Sequence, residues 1–302
     1  MRIIRTVKEM QAAAEGFRRE GRRIALVPTM GCLHEGHLAL VRKAREIADI
    51  VVVSIFVNPI QFGPKEDLAC YPRDFDRDRA LLARERTDVI FFPDVPEMYP
   101  EGYSTYVEVR GLGDHLCGLR REGHFAGVAT VVAKLFNAAK PHFAVFGQKD
   151  YQQLKIIQRM VRDLNIDLEV VGFPTVRERD GLAMSSRNTF LSETERSDAT
   201  VIHAAIARVE EMFHRGERKA ETLKDEARRV LASKGADGIE YVNICDAETL
   251  DDLEFIGTRA LIAVAVRVGK TRLIDNAILT EPQRAKDRED RLSPPSAKGA
   301  RS

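Results

Sequence analysis

Two histidines three residues apart, His34 and His37, stand in the run Pro28-Thr29-Met30-Gly31-Cys32-Leu33-His34-Glu35-Gly36-His37, directly after the apolar stretch Ile24 to Val27 and before a helix-like stretch. At a helix start that spacing puts both imidazoles on one face, and the free N–H groups and dipole of the helix end add positive potential for phosphates. Gly36 between them has no Cβ, so a flat base or a ribose can approach the backbone closely. The chemistry this set supports is the handling of a nucleotide phosphate beyond the end of a strand, where open α/β sheets bind nucleotides. Cys32, His34 and His37 also imitate a metal site, but no second Cys/His cluster at zinc-like spacing follows, and a structural zinc takes four ligands. Four further runs bring polar groups to comparable places. Ser54 to Phe62, with Asn58, Pro59 and Gln61, follows the second strand; Gly123-His124-Phe125-Ala126-Gly127-Val128 opens a long helix. Gly147-Gln148-Lys149-Asp150-Tyr151-Gln152-Gln153 lies at a strand-to-helix junction, and Met184-Ser185-Ser186-Arg187-Asn188 comes just after the pattern of elements changes.

The elements that must position these groups alternate along the first part of the chain. Strands are expected at Ile24 to Val27, Ile50 to Phe56, Asp88 to Phe92, His142 to Phe146 and Leu168 to Val171, with helices from about His37 and Asp74 and over Val128 to Ala139 and Tyr151 to Leu164. Such alternation builds a Rossmann-like α/β fold, an open parallel sheet with right-handed crossovers. The runs Ile50-Val51-Val52-Val53 and Val89-Ile90-Phe91-Phe92 lack polar alternation, as strands covered on both faces do. Past Val176 the style changes. Ser192 and Glu195 make a capping box ahead of the helical face Ile202, Ile206, Val209 and Phe213, and Ala220 to Leu231 reads as another helix. Ile239 to Ile244, Ala260 to Val268 and Thr271 to Ile274 read as strands, the last two joined by the turn Gly269-Lys270. We therefore expect a domain over 1–176, a smaller α+β domain over 177–283 that acts as a lid, and a disordered charged tail over 284–302, where nine charges accompany one large apolar residue, Leu292.

Composition narrows the function classes. Lys plus Arg is 47 against 46 for Asp plus Glu, so no net field recruits nucleic acid or an anionic membrane. The apolar share of 44% is ample for a core, and the four cysteines are scattered without a C-x-x-C pair, which suits reduced thiols in a cytoplasmic protein. Met1 is followed by no signal-peptide-like run, and no apolar run approaches membrane-spanning length. Small-molecule chemistry is the expectation.

The word H-x-G-H in this setting resembles the signature of the nucleotidyl-transfer superfamily that includes class I aminoacyl-tRNA synthetases. With P-T-M-G-x-L-H-x-G-H, N-P-x-Q-F, G-H-F-x-G-V, G-x-K-D-x-Q-Q and M-S-S-R-N in this order, the chain closely resembles the pantothenate synthetase (pantoate–β-alanine ligase) family from about Met1 to Pro282. The resemblance implies that ATP adenylates pantoate, that pyrophosphate leaves, and that β-alanine displaces AMP to give pantothenate, in a homodimer. Gln148 stands where many members have Glu, and Cys32 where Ala is common.

Attack of a carboxylate on an α-phosphate needs no protein nucleophile, so alignment and stabilisation of charge on the transferring phosphoryl group must do the work. Cations and N–H donors supply this, and His34, His37 and Lys149 are the expected catalytic residues, His37 with the proton-donor role that the family implies. The ATP site implied comprises Met30, Gly31, Cys32, Leu33, His34, Glu35, Gly36 and His37, then Gly147, Gln148, Lys149 and Asp150, then Val176, Met184, Ser185, Ser186 and Arg187. Met30 and Val176 are expected to touch adenosine mainly through backbone atoms, and Ser185 to Arg187 resemble the mobile phosphate loop of the class I synthetases. Asp150 either helps place Mg²⁺ on the ATP phosphates or caps the Tyr151 helix. Gln61 and Gln153 are neutral amides able to bond pantoate without drawing charge from the attacking oxygen, as a bidentate Arg would; the family places both on pantoate and Gln61 also near β-alanine. His124 either contacts phosphate or caps its helix. A phosphate-accepting adenylyltransferase would favour Arg or Lys where these glutamines stand.

Overall fold

The computed structural model describes residues 1–64, 66–233 and 238–281; the expected disordered tail lies outside them. The chain opens with a short strand, β1 (Arg2–Ile4), and α1 (Val7–Arg19), capped by Thr6, whose Oγ1 accepts the Glu9 N–H. Neither stands out in the sequence, because β1 has three residues and α1 buries only Met10 and Ala14 fully. The alternating elements then appear as expected within a few residues, save the single turn α4, which the sequence does not announce: β2 (Ile24–Thr29), α2 (Glu35–Ile47), β3 (Ile50–Ile55), α3 (Phe75–Arg84), β4 (Val89–Phe91), α4 (Val95–Met98), α5 (His124–Ala139), β5 (Phe143–Gly147), α6 (Tyr151–Asp163) and β6 (Glu169–Phe173).

These six strands form one parallel sheet in the order β1-β4-β3-β2-β5-β6. Its centre is the unbroken apolar run: Ile50 to Val53 are at most 2% exposed and pair residue for residue with Ile24 to Val27. Apolar clusters cover both faces, one around Leu26, Val52, Phe91 and α5, the other around Val27, Val53, Ile90 and α2. From β2 the sheet grows one way through β3 and β4 and the other way through β5 and β6, so the crevice between β2 and β5 is its switch point, the usual ligand position in open α/β sheets.

The second half begins with α7 (Glu193–Asp198), α8 (Val201–His214) and α9 (Ala220–Leu231), followed by β7 (Gly238–Cys245), β8 (Arg259–Val268) and β9 (Thr271–Thr280) in an antiparallel sheet ordered β7-β8-β9. Two expectations are corrected here. The Ser192–Glu195 capping box starts the six-residue α7, while the apolar face from Ile202 to Phe213 belongs to a separate helix that starts at Val201 with no side-chain cap. Strand β9 runs on to Thr280, beyond the expected Ile274, because it pairs with β8 along its whole length despite the polar pair Asp275-Asn276. One face of this sheet packs on α8 and α9; Cys245, Ala247, Leu261 and Ala263 instead cluster with Leu116 and Tyr151 of the first half, where Tyr151 donates to the Ala247 carbonyl at 3.0 Å.

Close approach of α5 fixes the turn Pro59–Gln61 beyond β3. A Cβ on Gly127 would lie 2.4 Å from the Ile60 carbonyl oxygen and 2.7 Å from the Gln61 Cα, both backbone atoms. Gly127→Ala is therefore expected to force helix and turn apart and to cost about 1–3 kcal/mol, the usual range for overpacking. Urea unfolding checks it; an unchanged midpoint would mean that the turn yields freely.

Candidate active site

The turn leaving β2 is fixed by a carboxylate from a distant part of the chain. Gly31 and Cys32 take left-handed backbone, φ +82° and +49°, and the N–H groups of Cys32 and Leu33 both donate to Asp78 of α3, at 2.8 and 2.7 Å. Asp78 is 1% exposed. Burial raises its carboxyl pKa, and the two backbone hydrogen bonds only partly pull it back.

Beyond this turn α2 starts on a capping box made of imidazoles. His34 Nδ1 accepts the Gly36 N–H at 3.1 Å, and His37 Nδ1 accepts the His34 N–H at 3.3 Å. A neutral imidazole accepting at Nδ1 carries its proton at Nε2, so each ring keeps Nε2–H as its free donor. The rings lie 4.1 Å apart. Burial, then the charge of Lys149, lowers the His34 pKa to about 4; burial, then His34 and Lys149, holds His37 well below its ordinary value. The pair therefore supplies neutral N–H donors at neutral pH, and the cationic charge falls to Lys149.

His34 and His37 line a cavity of about 220 Å³ together with Met30, Gln61, Gln153 and Val176. Lys149, Asp150, Ser185 and Arg187 also line it and are shared with a larger cavity of about 900 Å³ that reaches Cys117, Tyr241 and Arg272. Gly36, Gly147, Met184 and Ser186 stand on the smaller cavity's wall as well. Gly31, Cys32, Leu33, Glu35 and Gln148 do not: Leu33 is core, and Glu35 points outward to pair with Arg42.

Gln61 is aimed by residues that the sequence leaves unassigned. Asn58, 1% exposed, donates to Gln61 Oε1 at 3.0 Å and to the Gly127 carbonyl at 3.1 Å, and accepts the Tyr99 hydroxyl at 2.7 Å. With Oε1 engaged, the Gln61 amide turns Nε2 toward Met30 Sδ, at 3.2 Å. His124 neither caps α5 nor stands free for a phosphate. Gly123 is the N-cap; His124 Nδ1 donates to the Gln61 carbonyl at 2.7 Å, and Nε2 accepts from Arg121 at 2.8 Å. Burial, then Arg121, lowers its pKa to about 4. Gln152 is scaffold, 5% exposed, its amide bonded to the Cys117 N–H and to the carbonyls of Leu112 and His115.

On the phosphate side, Asp150 occupies the N-cap position of α6 yet makes no capping hydrogen bond, and its half-exposed carboxylate lies 3.8 Å from Lys149 Nζ. Ser186 Oγ donates to the Cys32 carbonyl at 3.0 Å, and Arg187 grips Asp67 with two bonds of 2.8 and 2.9 Å. Arg121 does the same with Glu66, at 2.6 Å twice. Among the described residues, no group of three or more His, Cys, Asp or Glu is placed to hold a metal ion, and the four cysteines are free. No helix among them is long and apolar enough to cross a membrane.

An open parallel sheet with a cavity at its switch point, where N–H donors, one lysine, two arginines and neutral amides stand among apolar side chains, defines an α/β protein suited to a small anionic ligand. The model of the pantoate–β-alanine ligase family matches residues 2–278, and the chain belongs to that family; it is a ligase. A pantothenate synthetase of Thermotoga petrophila is 55% identical over 92% of this chain and 100% of its own length. The crystal structure of a pantothenate synthetase from Thermus thermophilus superposes with a TM-score of 0.88 at 47% identity, covering 93% of this chain and 100% of its own. A pantoate–β-alanine ligase from Francisella tularensis, solved with β-γ ATP and β-alanine, gives 0.76 at 34% identity over 92% of this chain and 97% of its own.

The lowered histidines give stability a pH dependence of definite sign. His34 and His124, at about 4 in the fold against 6.5 ordinarily, bind fewer protons folded than unfolded in the window between those values. Their contribution is complete above the higher value and is lost as pH falls toward the lower one. Urea midpoints should therefore drop from pH 7 to pH 5, and less steeply in His124→Gln than in the parent. Equal steepness in both proteins would show that His124 takes up its proton without unfolding the site.

Proposed function

We propose that the chain performs its family's reaction in pantothenate biosynthesis through these residues. The pantoate carboxylate attacks the α-phosphate of ATP, pyrophosphate leaves, and the amine of β-alanine then displaces AMP from pantoyl-adenylate. The observation that carries the reading is one cavity lined by two neutral Nε2–H donors, by Lys149 and by two neutral amides, Gln61 and Gln153. Charge developing on the transferring phosphoryl oxygens meets Lys149 and the histidine N–H groups, arranged before reaction. With both rings held neutral, His37 acts as a hydrogen-bond donor from Nε2, and passes a proton only as the oxygen it faces becomes basic. The amides hold pantoate through its hydroxyls and carboxylate and leave the nucleophile its charge.

The Asp150 carboxylate, unused as a cap, suits Mg²⁺ carried by the ATP phosphates, with most ligands from phosphate and water. When bound, that ion neutralises the leaving pyrophosphate. We assign 1–176 to the nucleotide and pantoate domain and 177–283 to the lid, in a cytoplasmic homodimer. The Gly181 turn is tied to the second sheet through Arg177 and Asp275, so it travels with the lid and the hinge falls before it.

Labelled pyrophosphate should exchange into ATP when pantoate alone is added with Mg²⁺, because adenylate formation is reversible and does not wait for β-alanine. Lys149→Ala should slow this exchange by about 10² or more. Gln153→Ala should weaken pantoate use by about 0.5–1.5 kcal/mol per lost hydrogen bond and leave ATP affinity nearly intact. Absence of exchange in the parent protein would remove the adenylate, and normal exchange in a well-folded Lys149→Ala would remove Lys149. Small-angle scattering tests the rest: the mass should be that of two chains, and ATP with pantoate should shrink the particle. A single-chain mass refutes the dimer, and an unchanged radius of gyration refutes the closure.

A further inference from the structure

Strand β9 carries a buried carboxylate and a buried amide side by side, Asp275 at 2% exposure and Asn276 at 8%, opposite Val264 and Ala263 of β8. Both side chains reach out of their own sheet. The Asn276 amide donates to the carbonyls of Gln148 and Lys149, at 3.1 and 2.7 Å. Asp275 takes the Arg177 guanidinium with two bonds, at 2.6 and 3.1 Å, and accepts the Asn276 N–H at 2.8 Å. Arg177 in turn donates to the Gly181 carbonyl at 3.1 Å and is bridged to Ala183, while the Met184 N–H bonds the Val176 carbonyl at 3.0 Å. One dipeptide thus holds two segments. The first is the three-residue turn Gln148–Asp150 that bears Lys149, to which Asp150 contributes no capping bond. The second is the hairpin that ends in Met184, Ser185, Ser186 and Arg187.

We propose that Asp275 and Asn276 are positioning residues for phosphoryl transfer. Asn276 fixes the main chain of Lys149 without engaging its ammonium, which pairs loosely with Asp150, and Asp275, through Arg177, holds the hairpin that leads into the 184–187 segment. The two halves of the phosphate side are then registered against a common anchor on the other sheet, and small displacements of aligned groups are costly in rate. The inference rests on the reading of Lys149 as the cation that meets the phosphates.

The test is a double-mutant cycle on pyrophosphate exchange and on ATP binding by calorimetry, using the full chain as parent, Asn276→Ala, Lys149→Ala and the double variant. Asn276→Ala should slow exchange about 10- to 10²-fold with the pantoate KM little changed, and the double variant should be no slower than Lys149→Ala, since residues acting as a unit are not additive. ATP affinity should show the same non-additivity. Asn276→Ser, which keeps one donor in a smaller side chain, should fall between parent and alanine variant, and it carries the cycle if Asn276→Ala proves too unstable. Additive losses, or parent-level exchange in folded Asn276→Ala, would overturn the proposal. Absence of exchange in the parent would instead sink the functional reading, and the ATP-binding cycle would still decide the coupling.

Discussion

Parallel strands joined by right-handed crossovers deliver every strand-to-helix connection to one edge of the sheet, and only where the strand order reverses do two of those connections leave a gap between them. In this chain the reversal lies between β2 and β5. The two connections that border it carry His34 and His37 on one side and Lys149 on the other. Everything else in the site is an answer to that geometry. Asp78 and Ser186 hold the Cys32 residue through its N–H and its carbonyl, Asn58 and His124 hold Gln61, and Asn276 holds the turn of Lys149.

Electrostatics separates the groups into those free for a ligand and those already engaged. Two guanidiniums that border the cavities, Arg121 and Arg187, are each committed to a carboxylate by two short bonds, and His124 is consumed at both nitrogens. Burial alone would raise the carboxyl pKa values of Glu66 and Asp67, but the paired arginines outweigh it and hold both below the ordinary range. Two protonated imidazoles 4.1 Å apart beside Lys149 would repel each other in a partly desolvated place. Their neutrality is what allows them to sit together, and the capping box fixes which nitrogen of each faces outward.

Much of this is legible in the chain because the relevant signals are local. The β-branched runs, the strand-to-helix positions of the H-x-G-H and G-x-K-D words and the helix Ala220–Leu231 depend on neighbours within a few residues. The misses are long-range or conflicting. Asp78 reads as one more acidic residue near a helix start, since nothing nearby announces partners at 32 and 33. Asp275 and Asn276 break the apolar pattern of β9 and make the strand look finished, and the same two residues turn out to be buried and bonded across to the first half of the chain. His124 is ambiguous for a related reason: a histidine at a helix start offers the same spacing whether it faces a ligand or holds a neighbouring turn.

The acceptor side argues for the chemistry of the nucleophile. A phosphate acceptor carries about two charges and is met in proteins by free guanidinium or ammonium groups. Here Gln61 and Gln153 line the smaller cavity, and the two guanidiniums that also line it are engaged, Arg121 with Glu66 and His124 and Arg187 with Asp67. The Gln61 amide is also oriented from behind by Asn58 and Tyr99, so its donor end is presented at little entropic cost. A neutral donor held in place at Gln61, with a second neutral amide at Gln153, discriminates by hydrogen-bond geometry, which suits a singly charged hydroxy acid better than a phosphate ester. On the proposed reading Lys149 meets the nucleotide and the two amides meet the acceptor, so that no unpaired guanidinium lies against the oxygen that must attack.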